Sequence, residues 1–145
     1  MIIYTDGSCR NNGKENSNGG FGVVITEDDK LLTTYSKQSE NTTNNREELK
    51  AILYVMLNYG TKNSNIPIVY SDSSYCVNTF NDWMFRWEKN GWTKSDNKIP
   101  ENLDLIQAYY NWYLKGYRIN LKKIKGHAGH KWNEMADKLA TGVIK

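Results

Sequence analysis

Two aspartates follow similar apolar segments and could supply the carboxylates of an active site. Asp6 ends the segment Ile-Ile-Tyr-Thr-Asp, and Asp72 ends the segment Ile-Val-Tyr-Ser-Asp. Both segments have the composition of buried strands. If these strands are neighbours in one sheet, the two carboxylates meet outside their carboxyl ends, where open α/β sheets bind ligands. Considered singly, Asp6 would be assigned to a turn and Asp72 to a helix cap.

A third acid comes from a helix that is predicted over residues 45–59. Thr43 and Asn44 are cap-forming residues at its start, and Gly60 ends it. The apolar stripe of this helix consists of Leu49, Ile52, Leu53 and Met56. At about 100° per residue, Glu47 points roughly away from the stripe, whereas Glu48 lies on its flank and could turn towards the sheet. A half-exposed acid in the first turn would also be favoured by the helix dipole. The helical pattern leaves these two interpretations of Glu48 open.

The last predicted helix has a polar face in which residues recur at three- and four-residue steps: His130, Asn133, Glu134, Asp137 and Thr141. Such a face is usually solvated. The preceding segment KGHAGH places His127 between glycines, in a loop that could bring an imidazole to a substrate. An isolated loop histidine is more often a surface residue than a proton-transfer group.

The elements that must position these residues follow from periodicity. Strands are predicted at 2–5, 20–26 and 31–35 as an antiparallel meander, then at 66–71 and along Tyr117, Ile119 and Leu121. Helical segments are predicted at 80–92 and 103–114, and in the last helix, which carries Trp132, Met135, Ala136 and Leu139. Strands followed by alternating helices and strands predict an α/β fold with a mixed sheet. We expect one domain over residues 1–145.

Composition excludes several classes of protein. The 145 residues are 39% hydrophobic, with a net charge of +3, as in a compact globular domain. No apolar run approaches the ~20 residues that cross a bilayer. The start MIIYTDG lacks the features of a signal peptide, and Cys9 and Cys76 form no CxxC pair. We therefore expect a cytoplasmic protein with no membrane contact and with reduced cysteines.

Four segments carry a resemblance to a known family. They are YTDGSC at 4–9, TTNNREEL at 42–49, YSDSSY at 70–75 and KGHAGHKWNEMADKLA at 125–140. Their residues, order and spacing resemble type 1 ribonuclease H, the family of bacterial and eukaryotic enzymes that cut the RNA strand of RNA–DNA hybrids. The resemblance covers essentially the whole chain. It implies the family's five-stranded mixed sheet, with strand order 3-2-1-4-5 and helices packed on it.

The same resemblance implies the chemistry. It makes Asp6, Glu48, Asp72 and Asp137 the metal-binding carboxylates, and His127 a mobile histidine that assists proton transfer or product release. Hard oxygen ligands select Mg²⁺, with Mn²⁺ as a substitute. Two such ions would activate water and stabilise the leaving 3′ oxygen, giving 5′-phosphate and 3′-hydroxyl ends.

Substrate contacts are implied as well. Asn44 and Asn45 match residues that contact the hybrid, Asn12 and Thr43 match a pocket for a DNA phosphate, and Ser74 matches a minor-groove position where a longer amide is common. Trp87 and Lys89 lie in a segment similar to the family's basic protrusion, which holds the DNA strand. Helix capping by Thr43 and Asn44 and a turn at Asn12 remain alternatives, and capping is compatible with contact.

Two other functions fit parts of the pattern. A DNA-cutting integrase or resolvase of the same superfamily would share the acids, but the NNR and GHAGH segments argue against it. A hybrid-binding module without catalysis would share the fold, but all four carboxylates are present. The expected form is a monomer that takes RNA–DNA hybrid as its substrate.

Overall fold

Strand β1 (Ile2–Cys9) lies at the centre of a five-stranded sheet with the order β3-β2-β1-β4-β5. The computed structural model describes residues 1–10, 17–124 and 130–144. The other strands are β2 (Gly19–Glu27), β3 (Lys30–Ser39), β4 (Ile68–Ser71) and β5 (Asn120–Lys123). Strand β1 pairs antiparallel with β2 and parallel with β4, and β4 pairs parallel with β5. The predicted mixed sheet and its strand order are confirmed.

The helices cover both faces of this sheet. They are α1 (Asn44–Tyr59), α2 (Ser74–Asn78), α3 (Met84–Lys89), α4 (Leu103–Leu114) and α5 (Lys131–Thr141), with a π-helical turn (Thr79–Trp83) between α2 and α3. Helix α1 begins where the Thr43 hydroxyl accepts from the Arg46 N–H, and α5 ends at Gly142, which has a φ of 81°. None of the described helices is long and apolar enough to cross a bilayer.

Two separate cores form because successive residues of β1 point to opposite faces. Ile3 packs with Leu49 and Ile106 in the core beneath α1 and α4. Tyr4 packs with Val24, Trp132, Ala136 and Leu139 beneath α5. The indole Nε1–H of Trp132 also donates to Asp29 Oδ1 over 2.7 Å, which ties α5 to the β2–β3 turn.

Two glycines allow a helix to lie directly on the sheet. A Cβ at Gly7 would be 2.5 Å from the backbone carbonyl carbon of Glu47 in α1. A Cβ at Gly22 would press on the carbonyl oxygen of Ala136 and would be 2.5 Å from Leu139 Cβ in α5. Because real Cβ atoms do not approach this closely, these positions require glycine.

The structure differs from the predicted elements in several places. Strand β3 continues to Ser39 instead of ending at residue 35, and β4 begins at Ile68 instead of residue 66. The helix predicted over residues 80–92 is a π-helical turn followed by α3, which ends at Lys89. Strand β1 continues through Asp6 to Cys9, because Asp6 still pairs with Gly22 of β2 after the parallel pairing with β4 has ended at Tyr4. Strand β5 begins at Asn120 rather than Tyr117, because Arg118 forms an isolated bridge with Thr61 instead of pairing with β4. Both described cysteines are free thiols, as expected.

We predict that Gly22→Ala lowers the free energy of unfolding by about 1–3 kcal/mol, because the added methyl group forces α5 away from β2. Gly91→Asn is the control: no atom lies within 4 Å of a Cβ at Gly91, and its φ of 70° is one that asparagine tolerates. Urea unfolding of both variants measures the difference. An unchanged midpoint for Gly22→Ala would contradict the close packing of α5.

Candidate active site

Three of the four predicted carboxylates lie together. Ligand oxygens of Asp6, Glu48 and Asp72 all fall within 4.8 Å of one another. Asp6 and Glu48 are buried, at 6% and 7% exposure, and Asp72 is more accessible to solvent. The predicted adjacency of the two aspartates is correct, since β1 and β4 are neighbours and Asp72 directly follows β4.

Backbone and hydroxyl donors hold the two buried carboxylates. The N–H of Gly7 lies 2.9 Å from Asp6 Oδ1 and 2.8 Å from Glu48 Oε1. The Ser71 hydroxyl donates to Glu48 Oε2 over 3.4 Å, and Ser71 in turn accepts from the Ser73 N–H. Gly7 and Ser71 are not evident as contributors from the sequence, although each is the immediate neighbour of a candidate aspartate.

The electrostatics of the cluster favour a bound cation. The pKa of Asp6 is raised by burial first, then by its hydrogen bond and charge interaction with Glu48, by the Asp72 charge and by a hydrogen bond with Asp137. Burial also raises the pKa of Glu48, and hydrogen bonds from Asp6, the Gly7 N–H and Ser71 only partly oppose it. Carboxylates that resist ionisation beside one another gain most when a cation neutralises them.

Asp137 approaches this cluster from α5, on the opposite side of the sheet from α1. It is exposed and lies outside the compact group of three, but it is close enough to Asp6 to affect the pKa of that residue. The polar face predicted for α5 is only partly solvated, because Asn133 is buried while Glu134 and Asp137 are exposed.

Glu47 lies in a different environment from the one that the helical pattern predicts. It was predicted to point away from the buried side of α1, but its side chain is completely buried. The prediction from helical periodicity took account only of the apolar stripe that faces the sheet. Glu47 instead faces Thr42, whose hydroxyl donates to Glu47 Oε2.

The predicted substrate residues of α1 lie at its first turn. Thr43 is the N-cap, and Asn44 and Asn45 are exposed beside it. The guanidinium of Arg46 forms a double hydrogen bond with Asp104, at 3.0 and 2.7 Å, which ties this turn to α4. Capping by Thr43 is therefore confirmed, and it leaves the amides of Asn44 and Asn45 at the surface.

Three further predicted substrate residues, Ser74, Trp87 and Lys89, follow β4 in the chain. Ser74 is exposed at the first position of α2, two residues after Asp72. Lys89 is exposed at the end of α3. Trp87 lines an open cavity of about 630 Å³ with Trp83, Arg86, Asn90, Thr93, Lys94, Ser95 and Asn97. Trp92 packs edge-on against Tyr110 next to the core, so at least one tryptophan of this segment is structural.

Two predicted site residues, Asn12 and His127, lie outside the described residues. Asn12 falls in the segment 11–16 between β1 and β2, and His127 in the segment 125–129 before α5. Their assignments remain predictions from the sequence.

Comparison with known proteins gives a consistent result. The model of the family RNase H matches residues 1–145. The ribonuclease H of Caldanaerobacter subterraneus subsp. tengcongensis is 42% identical over 147 residues, covering 99% of this chain and 90% of that protein. Among solved structures, LC9-RNase H1, a type 1 RNase H with the type 2 active-site motif, aligns with a TM-score of 0.75 at 30% identity, covering 96% of this chain and 69% of that one. LC11-RNase H1 in complex with RNA/DNA hybrid aligns with a TM-score of 0.66 at 26% identity, covering 96% and 92%.

The sheet has helices on both faces, and acids from β1, from α1 and from the residue after β4 cluster beside its central parallel strands. This arrangement defines a carboxylate nuclease of the ribonuclease H-like fold. The matched family and the extent of the sequence identity make the assignment more specific. The chain belongs to the ribonuclease H family and is an endoribonuclease.

We predict that Asp6→Asn stabilises the metal-free protein by about 1–3 kcal/mol at pH 8 and by less at pH 5. The unfolded chain releases the Asp6 proton near the usual carboxyl pKa of about 4. The folded chain retains this proton to a higher pH, so the stability of the wild-type protein falls as the pH rises from about 4 towards the raised pKa of Asp6. Asparagine removes that penalty. Thermal unfolding in EDTA at both pH values measures the effect.

The control is Glu40→Gln, which neutralises an exposed carboxyl. It should leave the unfolding temperature nearly unchanged at either pH. Mg²⁺ should then stabilise the wild-type protein more than Asp6→Asn at pH 8, because a cation offsets the same repulsion. Equal stabilisation of both proteins by Mg²⁺ would argue against Asp6 as a ligand.

Proposed function

We propose that this protein hydrolyses the RNA strand of RNA–DNA hybrids, with divalent metal ions held by Asp6, Glu48, Asp72 and Asp137. The observation that carries the proposal is the three-carboxylate cluster, which lies at the centre of the sheet in a member of the ribonuclease H family. The structure of LC11-RNase H1 with RNA/DNA hybrid supports the choice of substrate, because that protein shares the fold and 26% of the aligned sequence.

The donor set fits Mg²⁺, because it consists of carboxylate oxygens from separate elements, with one side accessible to solvent at Asp72. Mn²⁺ has similar ligand preferences and is the expected substitute. When bound, two such ions would activate the attacking water and stabilise the leaving 3′ oxygen, which gives 5′-phosphate and 3′-hydroxyl ends.

The contribution of the chain itself is orientation. The Gly7 N–H and the Ser71 hydroxyl fix the inner carboxylates before any substrate arrives, so little reorganisation is needed during the reaction. Asp137 comes from a different helix and is exposed, so it can adjust as the scissile phosphate binds. We assign His127 to proton transfer or product release, as the family resemblance implies.

Recognition of a hybrid requires contact with ribose 2′-hydroxyls on one strand only. Asn44 and Asn45 are exposed at the start of the helix that carries Glu48, which makes them suitable donors to the minor groove. Ser74 would contact the groove from α2, and Thr43 with Asn12 would receive a phosphate of the DNA strand. The cavity lined by Trp87, with Arg86 and Lys94 at its sides and Lys89 nearby, would hold the DNA strand further along. We propose that the protein acts as a monomer in the cytoplasm.

Cleavage tests the proposed activity. We expect the protein to cut end-labelled RNA–DNA hybrid in Mg²⁺ but not in EDTA, and to leave duplex DNA and duplex RNA intact. Asp72→Asn should lower kcat by at least about a thousandfold, because it removes a ligand for the metal ions, while the circular dichroism spectrum is retained.

Glu40→Gln again serves as the control and should cut at the wild-type rate. Cleavage of duplex DNA would favour the integrase-like alternative. Hybrid binding without cleavage by the wild-type protein would favour a non-catalytic module. Full activity of Asp72→Asn would contradict the assignment of Asp72 as a metal ligand.

The DNA-strand contact has its own test. Lys89→Ala should raise KM for the hybrid a few-fold with little change in kcat, and should reduce the slope of log binding against log salt by about one. Lys30→Ala, which removes a charge at the β2–β3 turn, is the matched control and should leave both quantities unchanged. An unaltered salt slope in Lys89→Ala would remove this residue from the substrate surface.

A further inference from the structure

Glu47 is a buried carboxylate that the proposed mechanism does not use. Its side chain is 0% exposed. One oxygen, Oε2, accepts from the Thr42 hydroxyl over 2.6 Å and lies 3.0 Å from the ammonium group of Lys50. The other oxygen, Oε1, is buried with no hydrogen-bond partner among the described residues.

Such a group is costly for the fold. A buried carboxylate loses its hydration, and an ion pair with one lysine rarely compensates for that loss, especially with one oxygen left without a partner. An apolar side chain of similar size would fill the position without this cost. We therefore ask which residue the Glu47 carboxylate holds in place.

What it holds is Thr42. The N–H of Thr42 donates to the Ser17 carbonyl over 2.8 Å, and its carbonyl accepts from the Cys9 thiol over 3.2 Å. With the Glu47 contact, the backbone and side chain of Thr42 are fixed from three directions. The Lys50 ammonium extends the network to the edge of the sheet, because it donates to the Ser39 hydroxyl over 3.0 Å.

This network lies next to both the predicted substrate residues of α1 and the carboxylate Glu48. Thr42 directly precedes the N-cap Thr43, and the exposed Asn44 and Asn45 follow. Glu47 directly precedes Glu48, and its backbone carbonyl carbon lies against Gly7, where a Cβ would approach to 2.5 Å. The Thr42–Glu47 hydrogen bond therefore joins the residue before the substrate-facing turn to the residue before the carboxylate on the same helix.

We propose that Glu47 is a positioning residue for substrate binding. Its carboxylate holds Thr42, so that Thr43, Asn44 and Asn45 place the hybrid at the correct position relative to the cluster of Asp6, Glu48 and Asp72. This inference rests on the proposed function, because the register matters only if a hybrid is cut there. It assigns a role to a residue that contacts neither the cluster nor the solvent.

Three variants test this role. Glu47→Met keeps the approximate size of the side chain and removes the acceptor. Thr42→Val keeps the shape of threonine and removes the donor. Glu47→Gln retains an oxygen that accepts from Thr42 and removes only the charge. For each variant, kcat and KM are measured on RNA–DNA hybrid in Mg²⁺, with Glu40→Gln as an exposed-carboxyl control.

We expect Glu47→Met and Thr42→Val each to raise KM by about tenfold with kcat within about twofold of wild type, as for loss of one charge-assisted hydrogen bond. The double variant should be no worse than either single variant, because both remove the same contact. Glu47→Gln should restore a KM close to that of wild type.

Other outcomes overturn the inference. An unchanged KM in Thr42→Val, which leaves Glu47 in place, would show that the hydrogen bond does not position substrate, even if Glu47→Met fails to fold. A fall in kcat with unchanged KM would mean that Glu47 acts on the carboxylate cluster instead. Failure of the proposed function is separate and visible at once, because the wild-type protein would then cut no hybrid in the same assay.

Discussion

The peptide N–H of Gly7 donates to carboxylates on two different elements, at 2.9 Å from Asp6 and 2.8 Å from Glu48. This shared donor is possible only because Gly7 has no side chain, so that α1 lies against β1. The contact sets the separation of the two acids and the depth at which α1 packs. Strand β4 must then lie beside β1 for Asp72 to join them, and α5 must cover the other face for Asp137 to approach.

The clustering of acids lowers the stability of the fold but creates a site for a cation. Acids that share one buried location raise each other's pKa, and each resists the charge that the others carry. The surrounding structure tolerates this through fixed donors and close-packed faces of the central strand, where Ile3 and Tyr4 enter separate cores. Such repulsion is typical of sites that bind a cation, because a cation offsets the interaction between like charges.

The sequence predicted much of this arrangement, and its errors have identifiable causes. The apolar segments before Asp6 and Asp72 predicted neighbouring strands, and the motif resemblance predicted the strand order that the sheet has. The end of β1 was misplaced because its antiparallel partner continues after its parallel partner stops. The burial of Glu47 could not be predicted from helical periodicity, because its environment is built by Thr42 and the chain before α1 rather than by the sheet.

The four acids come from separate parts of the chain: Asp6 from β1, Glu48 from α1, Asp72 from just after β4 and Asp137 from α5. During translation β1 is made before β4, which pairs with its parallel edge, and before α5, which covers Tyr4 and Val24. Nascent chains fold from the amino terminus as units become complete. Because Asp137 is translated after the other three acids, a nascent chain that ends before α5 lacks the full set, and the proposed nuclease site is completed only when α5 has been made.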